Sequence, residues 1–187
     1  MIVKRERRTS RIERCRVASV ATLAFLAFAA PTIAQEPPHV RGEGGMQQLI
    51  DDAARRSPAI EEWIDQLQQM DVTVYVRTRA FASVDLDGRV VFVSARGAHR
   101  YLVIELACGK SELTQMVTLA HELFHALEIA GEPSVVSADT LADLYARIGR
   151  KTGDSWGQRT FETEAAAAAG LRARRQLLTT TRHGNGT

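Results

Sequence analysis

Apolar residues recur every three to four positions in the stretch that follows residue 45. This period predicts two helices, Met46–Arg55 and Ala59–Met70, with Pro58 at the first helical position, where proline is favoured. Within the second helix, Trp63 shares an apolar face with Ile60 and Leu67. The pattern therefore places Trp63 in the hydrophobic core.

The period changes to two at Asp71. Valines at 72, 74 and 76 alternate with polar or amphipathic residues, which predicts a half-buried strand. Two more apolar segments, Arg89–Ala95 and Arg100–Ala107, follow polar connections. We interpret the three strands as an antiparallel meander, and we expect an α+β fold with helices before and after this small sheet.

A period of 3.6 residues returns over Ser111–Ala130 and predicts the longest amphipathic helix. Ser111 is a suitable N-cap, and Gly131 followed by Pro133 ends the helix. Two further helices are predicted, Ser137–Arg150 with Ser137 or Asp139 as its N-cap, and the alanine-rich Phe161–Leu178. The polar loop Lys151–Arg159 joins them, and the polar tail 179–187 is expected to be disordered.

Residues 1–34 have the pattern of a secretory signal peptide. Seven Lys or Arg precede an apolar run from Val17 to Ala30, and the small residues Thr32 and Ala34 suit a cleavage site. The alternative is an uncleaved anchor, since the run is just long enough to span a bilayer. We expect export to the periplasm or the medium, a flexible leader over 35–45 and one domain over 46–178.

Removal of residues 1–34 would change both the net charge and the number of cysteines. Without residues 1–34, 17 of the 24 basic and 20 of the 22 acidic residues remain, a net charge of −3. No basic patch then indicates nucleic acid or an anionic membrane, and no membrane contact is expected unless the leader stays uncleaved. Cys108 would be the only thiol, and we expect it to be a small buried residue at a strand end.

The segment His121-Glu122-Leu123-Phe124-His125 lies inside the long predicted helix. Residues four apart share a helix face, so the two imidazoles can converge on one zinc ion. Glu122 is about 100° further round the helix, where it can act on a water molecule that zinc makes acidic. The alternative is that the two histidines bind no metal and are only hydrogen-bonded in the core. Any of their polar groups left unpaired there would cost ~1–3 kcal/mol.

Two other motifs do not fit their patterns. Gly109-Lys110-Ser111 resembles the end of a phosphate-binding loop, but Ile104 stands where the first glycine is required. The metzincin pattern fails too, because Glu128 and Gly131 occupy its glycine and third-histidine positions.

A tetrahedral zinc site needs a third protein ligand, with the fourth position left for water. His39, His99 and His183 are badly placed, so we expect an acid, and the last helix offers Glu162 and Glu164. Glu128, one turn beyond His125, is either a hydrogen-bonding partner of that ring or a solvated surface residue. Tyr145 and Arg159 are candidates for stabilising the transition state.

The pair His121-Glu122-x-x-His125 and Glu162-Thr163-Glu164-Ala165 resembles the gluzincin branch of the zincin metallopeptidases. The resemblance implies that His121, His125 and Glu162 bind Zn²⁺ and that Glu122 is the general base. Glu164 would then be a surface or supporting carboxylate. It also implies a zincin-like fold. The order of three predicted strands followed by this helix independently places a strand edge beside the helix, where an extended peptide can pair.

Three functions follow, in order of preference. The first is a secreted or periplasmic zinc peptidase acting on a peptide or protein substrate. The second is a non-catalytic zincin-fold domain that uses zinc for stability or binds a partner peptide. The third is a metal-dependent hydrolase of another bond, such as an amide of the cell envelope.

Overall fold

A computed structural model of the protein describes residues 36–83, 85–155 and 158–184, with side chains of 152–160 and 181–184 excluded. The described part has an α+β fold, as the sequence predicts. Its elements are β1 (Val40–Gly42), α1 (Met46–Arg56), α2 (Pro58–Gln68), β2 (Val72–Arg79), β3 (Gly88–Arg96), β4 (His99–Ala107), α3 (Glu112–Ala130), α4 (Ala138–Ile148), β5 (Arg150–Ser155), β6 (Gln158–Glu162) and α5 (Glu164–Gly184).

The predicted signal peptide lies outside the described residues. None of the helices in the described ranges combines the length and the apolar character that a membrane span requires.

The main sheet has four strands in the order β1-β2-β4-β3. β1 and β4 both run parallel to β2, and only β3 is antiparallel to its neighbour. The predicted antiparallel meander is therefore wrong. Eight residues separate the end of β2 from the start of β3, more than a tight hairpin needs, and β3 pairs with the far side of β4 instead of with β2. β4 is buried along almost its whole length, as a central strand requires.

Part of the predicted flexible leader is a strand. Val40 is 3% exposed, and its strand is held to β2 by hydrogen bonds from Val74 N to the His39 carbonyl (2.7 Å) and from Glu43 N to the Val76 carbonyl (2.8 Å). The prediction of a flexible leader is wrong for residues 40–42, because the Pro and Gly residues flank one valine that reaches the core.

The core lies between one face of the sheet and the helices. Val72, Val74 and Val76 of β2 are fully buried in it, as their alternation predicts. Trp63 is buried too, and its ring meets Phe124 of α3 edge to face at 5.6 Å. This contact packs α2 against α3.

Both ends of α3 are fixed. Ser111 Oγ accepts a hydrogen bond from Thr114 N at its start, as predicted. At its end the buried Arg100 donates from Nη1 to the carbonyls of Ile129 and Glu132, both at 2.9 Å. A guanidinium here stabilises the negative end of the helix dipole and ties α3 to β4.

The C-terminal region differs from its prediction in three ways. The polar loop is the antiparallel pair β5 and β6, and Phe161 and Glu162 belong to β6 and not to the last helix. α5 begins after Thr163, whose hydroxyl accepts from Ala166 N (3.1 Å). The helix also runs to Gly184, beyond the predicted end at Leu178, with Thr180 donating to the Arg56 carbonyl (3.0 Å).

Cys108 is exposed in the turn after β4, so its predicted burial is wrong. The strand ends one residue earlier, at Ala107. Ser137 is the N-cap of α4, which settles the choice between Ser137 and Asp139.

The opposite face of the sheet carries a buried carboxylate. Glu105 of β4 is 1% exposed and accepts hydrogen bonds from Arg77 Nη2 (2.6 Å), Arg79 Nη1 (2.9 Å) and Arg89 Nε (2.8 Å). Burial raises the pKa of Glu105, but the three arginines outweigh this effect and hold the pKa at about 2.

This cluster makes stability depend on pH in the acid range. The pKa of Glu105 is lower in the folded chain than its ordinary value of 4.5, so its contribution is complete above that pH and is lost as pH falls towards 2. Allowing for the partial exposure of the arginines, we expect Glu105→Gln to lower the free energy of unfolding at pH 7 by about 2 kcal/mol. Urea unfolding at pH 7, 5 and 3 measures it.

The loss should shrink as pH falls below 4.5, because the unfolded parent then takes up a proton at Glu105 while the folded parent, with a pKa of about 2, stays ionised. Glu62→Gln is the matched control, since Glu62 pairs with Arg172 (3.1 Å) while half exposed. Equal effects of the two substitutions at pH 7, or a loss from Glu105→Gln that is the same at pH 3, would contradict the account.

Candidate metal centre

His121 and His125 lie one turn apart on α3, and their ring centroids are 4.8 Å apart. The side chain of His125 is 6% exposed and that of His121 is 22% exposed. Glu122 is buried beside them. The helix that the sequence predicts thus presents both imidazoles and one carboxyl group on neighbouring faces.

The end of β6 brings Glu162 to the two rings. Its Oε2 lies 3.3 Å from His121 Nε2, and its Oε1 lies 3.8 Å from His125 Nε2. One donor atom from each of the three residues falls within a group no wider than 4.8 Å. Glu164, two residues later, is exposed on α5 and outside this group.

A chain of hydrogen bonds orients His125. Its Nδ1 lies 2.8 Å from Glu128 Oε2, and the other oxygen of Glu128 accepts from the Thr163 hydroxyl at 2.7 Å. If Nδ1 donates to this carboxylate, the lone pair of Nε2 points to Glu162. Because Thr163 follows Glu162 directly, the same chain also fixes the strand end that carries Glu162.

The electrostatics of the two imidazoles differ. Burial, with the nearby charge of His125, lowers the pKa of His121 to about 4. Burial also disfavours the charged form of His125, but the hydrogen bond to Glu128 and the charges of Glu122 and Glu162 raise its pKa overall. Burial raises the pKa of Glu162. Three carboxyl groups around two imidazoles create a site that favours a cation.

The side chain of Glu122, on α3, lies beside the start of β3. Burial raises its pKa to about 7, although a hydrogen bond from the Val90 backbone favours the ionised form. The two elements approach closely at Gly88, where an added Cβ would lie 2.5 Å from Thr118 Cγ2 and 3.4 Å from Glu122 Cγ. A side chain at position 88 would therefore have to displace Thr118, and glycine allows the two elements to pack this closely without such a shift.

The donor set fits a divalent metal ion. Glu162 Oε1 is buried, and the described residues offer it no hydrogen-bond donor. An unpaired buried carboxylate oxygen is costly, and a cation among His121, His125 and Glu162 would satisfy it. Two imidazole nitrogens and a carboxylate oxygen suit zinc.

The remaining candidates lie elsewhere or have other partners. Tyr145 is buried, and its hydroxyl lies 3.4 Å from the His125 carbonyl while its ring meets the edge of that imidazole. His39 and His99 contact each other beside β2, where His99 Nε2 lies 2.9 Å from Thr73 Oγ1. The side chains of Arg159 and His183 lie outside the described residues.

Sequence reasoning missed two residues of this site. Thr163 donates a hydrogen bond to Glu128 and caps α5. The sequence signal for this cap was a threonine shortly before an alanine run. Gly88 is the second of these residues, at the start of β3 where α3 approaches. No local signal distinguishes a turn glycine from one against which a helix packs.

Comparison with known proteins gives no match for this chain. No protein-family model matches it, and neither does a curated protein or a solved structure. A functional site is therefore indicated by the distances and environments of His121, Glu122, His125 and Glu162 alone.

Proposed function

We propose that this protein is an exported zinc-dependent peptidase of the gluzincin type. The observation that carries the proposal is the meeting of His121, His125 and Glu162 beside the buried Glu122. The export half of the proposal rests on residues 1–34, which lie outside the described part of the chain.

Each residue has a distinct role in this proposal. His121, His125 and Glu162 hold the metal ion, which when bound lowers the pKa of a water molecule and polarises the scissile carbonyl group. Glu122 accepts the proton of the attacking water and donates it to the leaving amine nitrogen. Glu128 and Thr163 orient His125.

The position of β3 favours a peptide as substrate. It is an edge strand, and among the described strands it pairs only with β4. Its Val90 backbone contacts Glu122, so a peptide that pairs along this edge lies next to the general base. An extended peptide bond is therefore the group that the site is best arranged to receive.

Metal removal tests the proposal. We expect the full-length protein to cleave members of a quenched-fluorescence peptide library, to lose that activity on dialysis against a chelator, and to regain it with one equivalent of Zn²⁺. The reason is that Glu122 alone cannot make neutral water a sufficient nucleophile. Hydrolysis that continues at the same rate after chelation would contradict the proposal.

Two other outcomes identify the alternatives. If the protein binds zinc, unfolds less cooperatively without it and cleaves no library peptide, the non-catalytic zincin-fold domain is supported. If the protein cleaves amides of the cell envelope in a zinc-dependent reaction but cleaves no peptide, the third function is supported, a metal-dependent hydrolase that does not act on peptides.

The orienting chain gives a graded prediction. Glu128→Gln should weaken zinc binding by about 10- to 100-fold, because the His125 ring loses a carboxylate that fixes its tautomer and raises its basicity. Thr163→Val should weaken it less, since Glu128 would keep its contact with the ring. Competition with a chromophoric chelator measures both.

Thr163→Ser is the matched control, because serine keeps the hydroxyl that Glu128 accepts from. It should bind zinc as the parent does. Unchanged zinc affinity in Glu128→Gln would show that this carboxylate does not support the site.

A further inference from the structure

A cleft of about 330 Å³ opens beside the proposed metal centre. His121 and Glu122 of α3 form part of its wall, and Asp87 and Gly88 before and at the start of β3 form another part. A group bound in this cleft would lie next to the general base.

One face of α5 forms the remaining wall. Ala167, Gly170, Leu171 and Arg174 line the cleft. Gly170 and Leu171 lie three and four residues from both Ala167 and Arg174, so the four residues share one helix face. Gly170 is opposite His121, where an added Cβ would lie 3.5 Å from the histidine Cβ. Arg174 is one turn further on, about 6 Å along the helix.

Arg174 is the cation of this cleft that has no acidic partner in the described part of the chain. It is exposed, and no hydrogen bond or ion pair joins it to a described side chain. Across the cleft, Asp87 is paired with Lys110 at 2.7 Å. Leu171, 58% exposed, adds an apolar surface between Gly170 and Arg174.

We propose that Arg174 determines specificity by binding a carboxylate of the peptide substrate close to the scissile bond. A guanidinium forms paired hydrogen bonds with a carboxylate, and its charge persists at any working pH. The carboxylate belongs either to an acidic side chain or to the C-terminus of a substrate that is cut near its end. This role rests on the proposed peptidase function.

Three peptide classes separate the two sources of the carboxylate. One carries an acidic residue and an amidated C-terminus, one is neutral with a free C-terminus, and one is neutral and amidated. With the zinc-loaded full chain, we expect kcat/KM to be higher for one of the carboxylate classes than for the neutral amidated peptide. Arg174→Ala should reduce that ratio about 10- to 100-fold.

Arg174→Glu should reverse the preference, so that a basic peptide is cleaved better than an acidic one. Arg175→Ala is the matched control, since Arg175 is exposed on the same helix but about 100° away and does not line the cleft. A parent without a carboxylate preference, or the same loss from Arg174→Ala and Arg175→Ala, would overturn the role of Arg174.

Binding separates this inference from the proposed function. Labelled peptides of the three classes can be titrated into zinc-loaded Glu122→Gln protein, with and without Arg174→Ala, by fluorescence anisotropy. Carboxylate-dependent binding that requires Arg174 supports the carboxylate-binding role of Arg174, whether or not the parent cleaves peptides. A parent that binds these peptides but cleaves none would contradict only the peptidase function. Affinity that does not depend on Arg174 overturns the inference.

Discussion

Glu122→Gln should reduce peptide hydrolysis by about 100- to 10,000-fold, the usual contribution of general acid–base catalysis. The amide keeps the shape of the side chain but cannot accept the proton of the attacking water. Glu122 is not among the three residues whose donor atoms converge, so zinc content should stay at that of the parent. Initial rates on a cleaved library peptide, with zinc measured in the same samples, check the prediction.

Glu112→Gln is the control for this substitution. Glu112 lies in the first turn of the same helix with a largely exposed side chain paired with Arg56, so its loss should leave the rate unchanged. A Glu122→Gln protein that binds zinc and cleaves peptides at the parent rate would contradict the proposed mechanism.

Glu162→Ala should weaken zinc binding by more than about 100-fold, the upper end of what the loss of an orienting partner costs. The substitution removes the carboxylate whose oxygens lie 3.3 Å and 3.8 Å from the two imidazoles. Two histidines then remain on α3, too few for a stable tetrahedral site. Zinc content after purification without chelators, and affinity by competition, measure the effect.

Glu164→Ala is the matched comparison, because both glutamates occur in the same short motif and only Glu162 faces the rings. We expect parent affinity from Glu164→Ala. If the two substitutions act alike, the assignment of Glu162 as the third ligand is wrong.

The positions of α1 to α4 could be predicted well because their signals are local. Ser111 and Ser137 cap α3 and α4 through hydrogen bonds to residues three positions ahead. The burial of Trp63 follows in the same way from the apolar face of one helix. Such features depend on neighbours within a turn or two of the chain.

Strand order could not be predicted from the same kind of signal. Alternation assigns each residue of β2 to a face of the sheet but says nothing of which strand lies beside it. A clue was present in β4, whose continuous apolar run is typical of a central strand. The short β1 depended on Val40 alone, which no periodicity can reveal.

The candidate site divides in the same way. His121, Glu122 and His125 followed from one helix, so their mutual placement could be predicted. The choice of Glu162 as a ligand depends on the resemblance to gluzincins. The sequence predicts this residue on a helix, whereas it is the last residue of β6. Its approach to the rings depends on the contact between Thr163 and Glu128, which are 35 residues apart in the chain.

The most direct test of the account is anomalous diffraction at the zinc edge from crystals of the zinc-equilibrated protein. We predict one strong peak among His121 Nε2, His125 Nε2 and the carboxylate of Glu162, and no such peak in crystals of Glu162→Ala. A zinc peak bound by other residues, or none in the parent, would contradict the claim that these three residues form a metal centre.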